Sequence, residues 1–318
     1  MKMTSIILPI LLAGTLLSCQ QDPEIFRVPG RTDNETNTEA PEGAGDGLKV
    51  CSFNIRYYNT SDPYPWSARK EPILRFLNTE LPDLISMQEI RSTQSQDLQL
   101  GLSDNYTMYN INRDTGTQIS GSEGEGVGLL YRKDRFELID KGFFWLAEDP
   151  DKLPSQNEDG TYSSWHSKCR RVTVWAKLKD NWHSGQTVWF FATHFDHVSS
   201  EARRKSSEMT LKQISKITGI SDLSKSGAPI FLAGDLNCSY GSSELEPIRA
   251  KMNDARTNSP ETEDGTTING FGSSKPNIID HIFFVGRFKA QKYHIVTEDY
   301  GVKYISDHYP VIFTGKYL

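Results

Sequence analysis

What most constrains this chain is a train of short apolar runs, rich in β-branched and aromatic residues, that begins at residue 48 and continues to the C-terminus. Residues 48–53, 84–87, 127–131, 136–146, 172–178, 188–192, 230–233, 278–285 and 311–313 all have strand length and strand composition. Fewer stretches read as helices. Residues 66–77 follow a proline, and residues 200–217 open on a serine with an acid in the first turn. A third, 243–251, carries Pro247 near its middle, which weakens it. Strands and helices do not alternate strictly, so a doubly wound sheet is disfavoured. The pattern predicts one mixed α/β domain over residues 48–318 with more than one sheet.

The first 47 residues differ in kind. Lys2 precedes an apolar run over 6–17, 12 residues long against the roughly 20 a spanning helix needs, and Ser18 precedes Cys19. Leu16-Leu17-Ser18-Cys19 resembles a bacterial lipobox, so residues 1–18 are expected to be a lipoprotein signal peptide and Cys19 the lipidated residue. Lipid chains there would hold an exported protein to a periplasmic or cell-surface membrane without a spanning segment. Residues 19–47 are rich in Pro, Gly, Thr, Asn and acids and read as a flexible tether. Residues 1–47 hold three of the 35 Lys+Arg and seven of the 41 Asp+Glu, so the net charge of −6 falls to −2 for the remainder. A nearly neutral body argues against a dedicated nucleic-acid coat, whose phosphate contacts need a basic surplus. Cys51, Cys169 and Cys238 match no metal knuckle and read as buried small apolar residues.

Polar residues foreign to a core collect where the strands end. Asn54 closes the first run, and Glu89 follows the second. His194 and Asp196 close a third, and Asp235 and Asn237 a fourth. Asp280 lies between Ile279 and aromatics, where a carboxylate must be paired or metal-bound. Asp307 and His308 stand before Tyr309-Pro310 and need a loop to converge. Residues i and i+2 share a face in an extended chain, which would set Asp235 beside Asn237 and His194 beside Asp196. Carboxylates and amides are hard oxygen ligands suited to Mg²⁺ or Mn²⁺, while the two imidazoles suit proton exchange or oxyanion stabilisation. Zinc is the rival, though no usual two-His or Cys/His spacing appears. No G-x-S-x-G turn or Walker loop is present, and the Gly124, Gly126, Gly128 alternation precedes a strand rather than a helix.

In order, SFNIR, MQEI, THFDH, GDLN, IDHIFF and SDHYP resemble the motif series of the endonuclease/exonuclease/phosphatase superfamily over roughly residues 48 to 318. That group includes DNase-I-like and apurinic endonucleases, deadenylases, inositol-phosphate phosphatases and bacterial sphingomyelinases. The intervening YRKDRFEL, GFFWLAEDPD and SSWHSKCRRVTVWAKL look like its exported bacterial branch. The resemblance implies a four-layer α/β/β/α sandwich of two mixed sheets and hydrolysis of a phosphoester by activated water. It implies Glu89 as principal metal ligand, with Asn54 and Asp307 in or beside the metal and phosphate shell. Asp235 would orient or deprotonate the water and Asn237 would touch the phosphate. His308, paired to Asp280, would bind the scissile phosphate, and His194 would meet it from the opposite wall. Arg171 and Asp196 are expected on the substrate side. A small sugar or inositol phosphate, or a lipid head group, is favoured as substrate, acted on by a monomer. A nuclease using Lys168, Arg170 and Arg171, or an inactive tethered binding protein, are the alternatives.

Overall fold

The structure, a computed structural model, describes residues 47–120 and 124–318. The signal peptide, Cys19 and nearly all of the tether lie outside the described residues. The strands are β1 (Gly47–Asn54), β2 (Leu84–Ile90), β3 (Tyr106–Asn112), β4 (Gly126–Arg132), β5 (Phe136–Trp145), β6 (Val172–Asp180) and β7 (Gln186–His194). They continue with β8 (Ile230–Asp235), β9 (Asn253–Asp254), β10 (Glu261–Thr262), β11 (Asp280–Val285), β12 (Phe288–Ile295) and β13 (Val311–Tyr317). The long helices are α1 (Trp66–Glu80), α2 (Ser92–Leu102) and α3 (Ser200–Thr218), joined by the single turns α4 (Glu246–Arg249) and α5 (Ala255–Asn258). The predicted third helix is thus cut short: a 3₁₀ turn over Ser243–Leu245 precedes α4, and Pro247 sits in the first turn of α4, where its missing N–H costs nothing.

Two mixed sheets result. One runs β10-β12-β13-β1-β2-β4-β3, the other β5-β6-β7-β8-β11-β9. Side-chain alternation stacks them. Val50, Leu84, Phe190, Phe231, Ile282 and Phe313 fill the core between the sheets. On the outer face of the first sheet, Cys51, Phe53, Ile85 and Met87 pack on Ile73 and Phe76 of α1 and Leu98 of α2. On the outer face of the second, Phe191, Ile230, Leu232 and Phe283 pack on Ile214 of α3 and Ile248 of α4. The order is therefore helix, sheet, sheet, helix. Burial on both faces explains why these strands read as unbroken apolar runs. Each fully buried Phe contributes about 1.5–3 kcal/mol by removal from water.

Helix α3 starts where the sequence suggests. Ser199 caps it by accepting from Ala202 N at 3.1 Å, Glu201 lies in the first turn, and Gly219 ends it at φ +73°. Among the hydrogen bonds that cross between the sheets, Ser86 Oγ of β2 donates to the Ala233 carbonyl of β8 at 2.8 Å. It ties together the two strands whose ends carry Glu89 and Asp235.

Candidate active site

Strand register assembles the site. In the second sheet β7 and β8 run parallel with His194 opposite Asp235, and β11 runs antiparallel with Asp280 opposite Asp235. Three neighbouring strands thus place His194, Asp235 and Asp280 in one row. In the first sheet, Asn54 stands opposite Gln88, and a register shift between Met87 and Ile90 displaces Glu89 from the regular ladder. Glu89 adopts φ +64°, a strained left-handed conformation for a non-glycine residue. Its carboxylate is secured twice, by Asn54 Nδ2 on Oε1 and by Tyr57 N on Oε2, each at 3.0 Å.

Asn54 bridges the sheets, because its Nδ2 also donates to Asp235 Oδ2 at 3.0 Å. Asp235 Oδ1 accepts from Asn237 N at 2.9 Å. Its Oδ2 lies 3.5 Å from His194 Nε2 and 3.9 Å from His308 Nε2. Both imidazoles therefore converge on one carboxylate oxygen. His308 reaches it from the loop before β13, which is fixed by Ser306 Oγ donating to the Asn54 carbonyl at 2.7 Å and by Asn269 and Gly270 N–H donating to the Asp307 carbonyl. Its Nδ1 donates to Asp280 Oδ2 at 2.8 Å.

These contacts set the charges. Burial and the neighbouring Asp280 push the Asp235 carboxyl up to about 7, against the opposing pull of His308. Burial opposes charge on His308, but Asp280, Asp235 and Asp307 hold its pKa well above the usual imidazole value. Burial would raise Glu89 too, yet its hydrogen bonds from Asn54 and Tyr57, with His308 and Arg56 nearby, hold it below the usual range. Asp235 and His308 are thus both raised, so each holds its proton to a higher pH than the free side chain would.

A second wall of the same cavity, about 430 Å³ in volume, is cationic. Arg171 donates to His194 Nδ1 at 2.8 Å and to His197 Nδ1 at 3.1 Å. Glu125 pairs with Arg113 and lies 3.8 Å from Arg171 Nη1. Burial, then Arg171 and Arg113, depress His194 well below the ordinary imidazole pKa. Arg56, Arg91, Arg113, Glu125, Cys169 and His197 line the cavity beside residues anticipated from sequence. Glu125 was missed in the sequence, although an acid inside the Gly124-Glu125-Gly126 run could have flagged it; the glycine spacing there is packing, since a Cβ on Gly126 would collide with the Ile111 carbonyl. Arg113 immediately follows β3, a strand without an apolar run to announce it.

Three expectations need correction. Asp196 does not face the cavity: its Oδ1 accepts from Val198 and Ser199 N–H and its Oδ2 from Lys168 and Cys169 N–H, so it organises two loops. Asn237 leaves the strand at φ +53°, so the expected shared face with Asp235 is replaced by a turn; it still lines the cavity, with Nδ2 donating to the Phe195 carbonyl at 3.0 Å. Cys169 is only half-buried, unlike Cys51 and Cys238; all three are free thiols.

Two groupings could hold a cation. Asp235, Asp280 and His308 have ligand atoms within 4.8 Å of one another. The His308 Nδ1 proton on Asp280 makes that trio a proton-carrying unit instead. Glu89 and Asp307 offer hard carboxylate oxygens, whereas Asn54, expected beside them, turns its Nδ2 to Glu89 and its Oδ1 to Arg56 N at 2.9 Å, so it positions the Glu89 carboxylate. Burial raises the Asp307 carboxyl, and among the charges around it that of Glu89 raises it further, a repulsion that a divalent cation would relieve. These residues fit such an ion.

A double sheet sandwich with carboxylates and imidazoles meeting at the strand ends defines a hydrolase site of the DNase-I-like kind. The Endonuclease/Exonuclease/phosphatase family profile matches residues 51–308, and the chain belongs to that family, whose members hydrolyse phosphoesters. A family structure from Bacteroides vulgatus superposes with a TM-score of 0.75 at 31% identity, covering 86% of this chain and 99% of that one. A Bacteroides thetaiotaomicron mannosyl-6-phosphatase superposes with a TM-score of 0.74 at 27% identity, covering 85% of this chain and 100% of that one. An uncharacterised mimivirus protein is 24% identical over 188 residues, 54% of this chain but only 26% of that protein's length.

Proposed function

We propose that this protein is a divalent-metal-dependent phosphatase acting on a small phosphorylated sugar or polyol. The observation that carries this reading is the cavity of about 430 Å³, with oxygen donors from Glu89 on one wall and Arg113, Arg171 and His194 on the other. A volume of that order suits a small molecule rather than a polymer. The mannosyl-6-phosphatase likeness adds support. So does the nearly neutral domain, which offers no long basic rim.

Glu89 and Asp307, with Asn54 positioning the Glu89 carboxylate, would hold Mg²⁺ or Mn²⁺, which supplies Lewis-acid polarisation of a phosphoryl oxygen. Asp235, with a carboxyl that titrates near neutrality, accepts the proton of the attacking water. His308, kept cationic by Asp280, donates to a phosphoryl oxygen as negative charge grows, and His194 donates from the opposite side. Asn237 turns the chain beside Asp235 and fixes that carboxylate through its N–H.

Phosphate release from hexose 6-phosphates and inositol phosphates, head-group release from phospholipids, and strand scission of single-stranded DNA and plasmid, each with Mg²⁺ or Mn²⁺, test the reading. Small monoesters should lead. Efficient nucleic-acid cutting that collapses between about 50 and 200 mM salt would instead establish a nuclease, since the salt slope counts phosphate contacts. We also propose that Cys19 carries the lipid anchor of an exported protein, on the strength of its lipobox-like setting. Cys19→Ser should then move the protein from membranes to the soluble fraction; unchanged membrane association defeats this.

A further inference from the structure

Arg171 was expected to touch substrate, but its two terminal nitrogens are occupied elsewhere. Nη1 donates to His194 Nδ1 at 2.8 Å and Nη2 to His197 Nδ1 at 3.1 Å. A guanidinium has donors only, so each Nδ1 must present a lone pair and each ring must carry its proton on Nε2. Neither imidazole can be cationic while the fork is closed. His194 Nε2 accordingly faces the Asp235 carboxylate at 3.5 Å. His197 lines the same cavity, with its Nε2–H on the side of the ring away from Arg171.

The surroundings hold this fork rigidly. Arg171 is 4% exposed, and Glu125 lies 3.8 Å from Nη1 and 4.0 Å from His194 Nδ1. The two histidines flank Phe195 and Asp196, and the Asp196 carboxylate pins the next residues through Val198 and Ser199 N–H. The same carboxylate grips Lys168 and Cys169 N–H on the segment that leads into Arg171. Asp196 thus sets the spacing between the fork and the rings it holds. The charged or titratable groups around the pair are Arg113, Arg171, Glu125, Asp196, Asp235, Glu89 and His308.

We propose that Arg171 is a positioning residue that locks His194 and His197 as a pair of neutral Nε2–H donors, and that His197 is a further contact for the nonreacting oxygens of the phosphoryl group. The proposal rests on the phosphoesterase reading for its substrate, whereas the tautomer lock stands on the geometry alone. Donors fixed before the reaction need no reorganisation as charge develops, which is where such groups gain their advantage. The neutral pair also complements His308, which enters from the Asp280 side as the cation.

Nitrogen-15 spectra of the histidine-labelled full chain near pH 7 test the lock directly, with His194→Gln and His197→Gln supplying assignments. Both rings should show a protonated Nε2 and an unprotonated, hydrogen-bonded Nδ1. Arg171→Met should release the preference at both rings; Arg171→Lys, with one ammonium in place of the fork, should keep it at no more than one. In turnover, His197→Ala should lower kcat about tenfold or more with a smaller change in KM, and His197→Gln, which keeps a donor, should recover most of the loss. A wild-type Nδ1–H tautomer or imidazolium at either ring overturns the lock. Equal activity of His197→Ala and wild type overturns the contact. If no phosphoester is cleaved, the spectra still decide the lock while the phosphoesterase reading fails separately.

Discussion

Asp280 stands directly opposite Asp235 on neighbouring strands, yet only Asp280 holds the His308 proton, through Nδ1 to Oδ2 at 2.8 Å. Two carboxylates in register are thereby given different work. Asp280 Oδ1 has no hydrogen-bond partner among the described residues, so the acid is committed to His308 alone on its side-chain face. Asp280→Asn should keep the fold but lower kcat by roughly 10² to 10⁴, because the imidazole loses both its orientation and its stabilising charge. Steady-state rates on a cleaved monoester check this; a variant within twofold of wild type would remove His308–Asp280 from the chemistry.

The raised pKa of Asp235 predicts a trade of stability for activity. Its carboxyl titrates near 7 in the folded protein, against about 3.9 when unfolded. The folded state therefore holds this proton more tightly, and its contribution to stability is lost as pH climbs from about 4 to 7. Asp235→Asn, measured with a chelator present, should be nearly inactive yet about 1–3 kcal/mol more stable than wild type at pH 8. The gain should vanish below about pH 4. Urea titrations at several pH values read it, and a variant less stable at pH 8 than at pH 4, relative to wild type, contradicts the sign.

Cation dependence should follow Glu89. Chelation should abolish turnover and Mg²⁺ or Mn²⁺ should restore it. Glu89→Gln should raise the Mg²⁺ concentration for half-maximal rate by about tenfold or more, since a buried carboxylate ligand loses its charge. Calorimetric titration of Mg²⁺ into both proteins provides the direct measurement; equal affinities would move the cation site elsewhere.

A structural ion pair far from the cavity offers the converse test. Arg135 clasps Asp180 through Nε and Nη2, and Tyr317 donates its hydroxyl to the same carboxylate at 2.6 Å. Both charged side chains are almost wholly buried. Arg135 Nη1 also lies 3.0 Å from Asp83, so Asp180→Ala removes one of two carboxylates on the guanidinium and the acceptor of the Tyr317 hydroxyl, and should cost about 1–3 kcal/mol in denaturant unfolding. Its kcat should stay at the wild-type value below the transition.

The strand ends were legible because buried strands betray themselves by unbroken apolar runs, and a polar residue closing such a run stands out. Asn54, Glu89, His194 and Asp235 were visible that way, Asp280 as an acid inside such a run and His308 just ahead of one, and the structure brings them together. Elements with one wet face were hidden. β3 reads YTMYNIN and β12 reads FKAQKYHI, with polar residues interleaved, and α2 is largely Ser, Gln and Asp outside its buried Leu98 and Leu102. Losing β3 lost Arg113. Asp196 misled for a different reason: a carboxylate at a strand end serves a substrate or the local backbone equally well, and only the four N–H groups around it decide.

Because Asn54 and Glu89 grow from one sheet while His194, Asp235 and Asp280 grow from the other, the catalytic centre is a seam rather than a pocket carved in one element. Sliding one sheet along the other by a single residue pitch, about 3.3 Å, would leave every ladder within each sheet intact while pulling Asn54 off Asp235. Turnover is thus a gauge of how the halves are seated, and the Ser86 to Ala233 clasp is its detent. The loops at the mouth share in that seating: His308 reaches from the loop before β13 to Asp280 of the other sheet, and Thr267 accepts both from Asp280 N and from Tyr309 N.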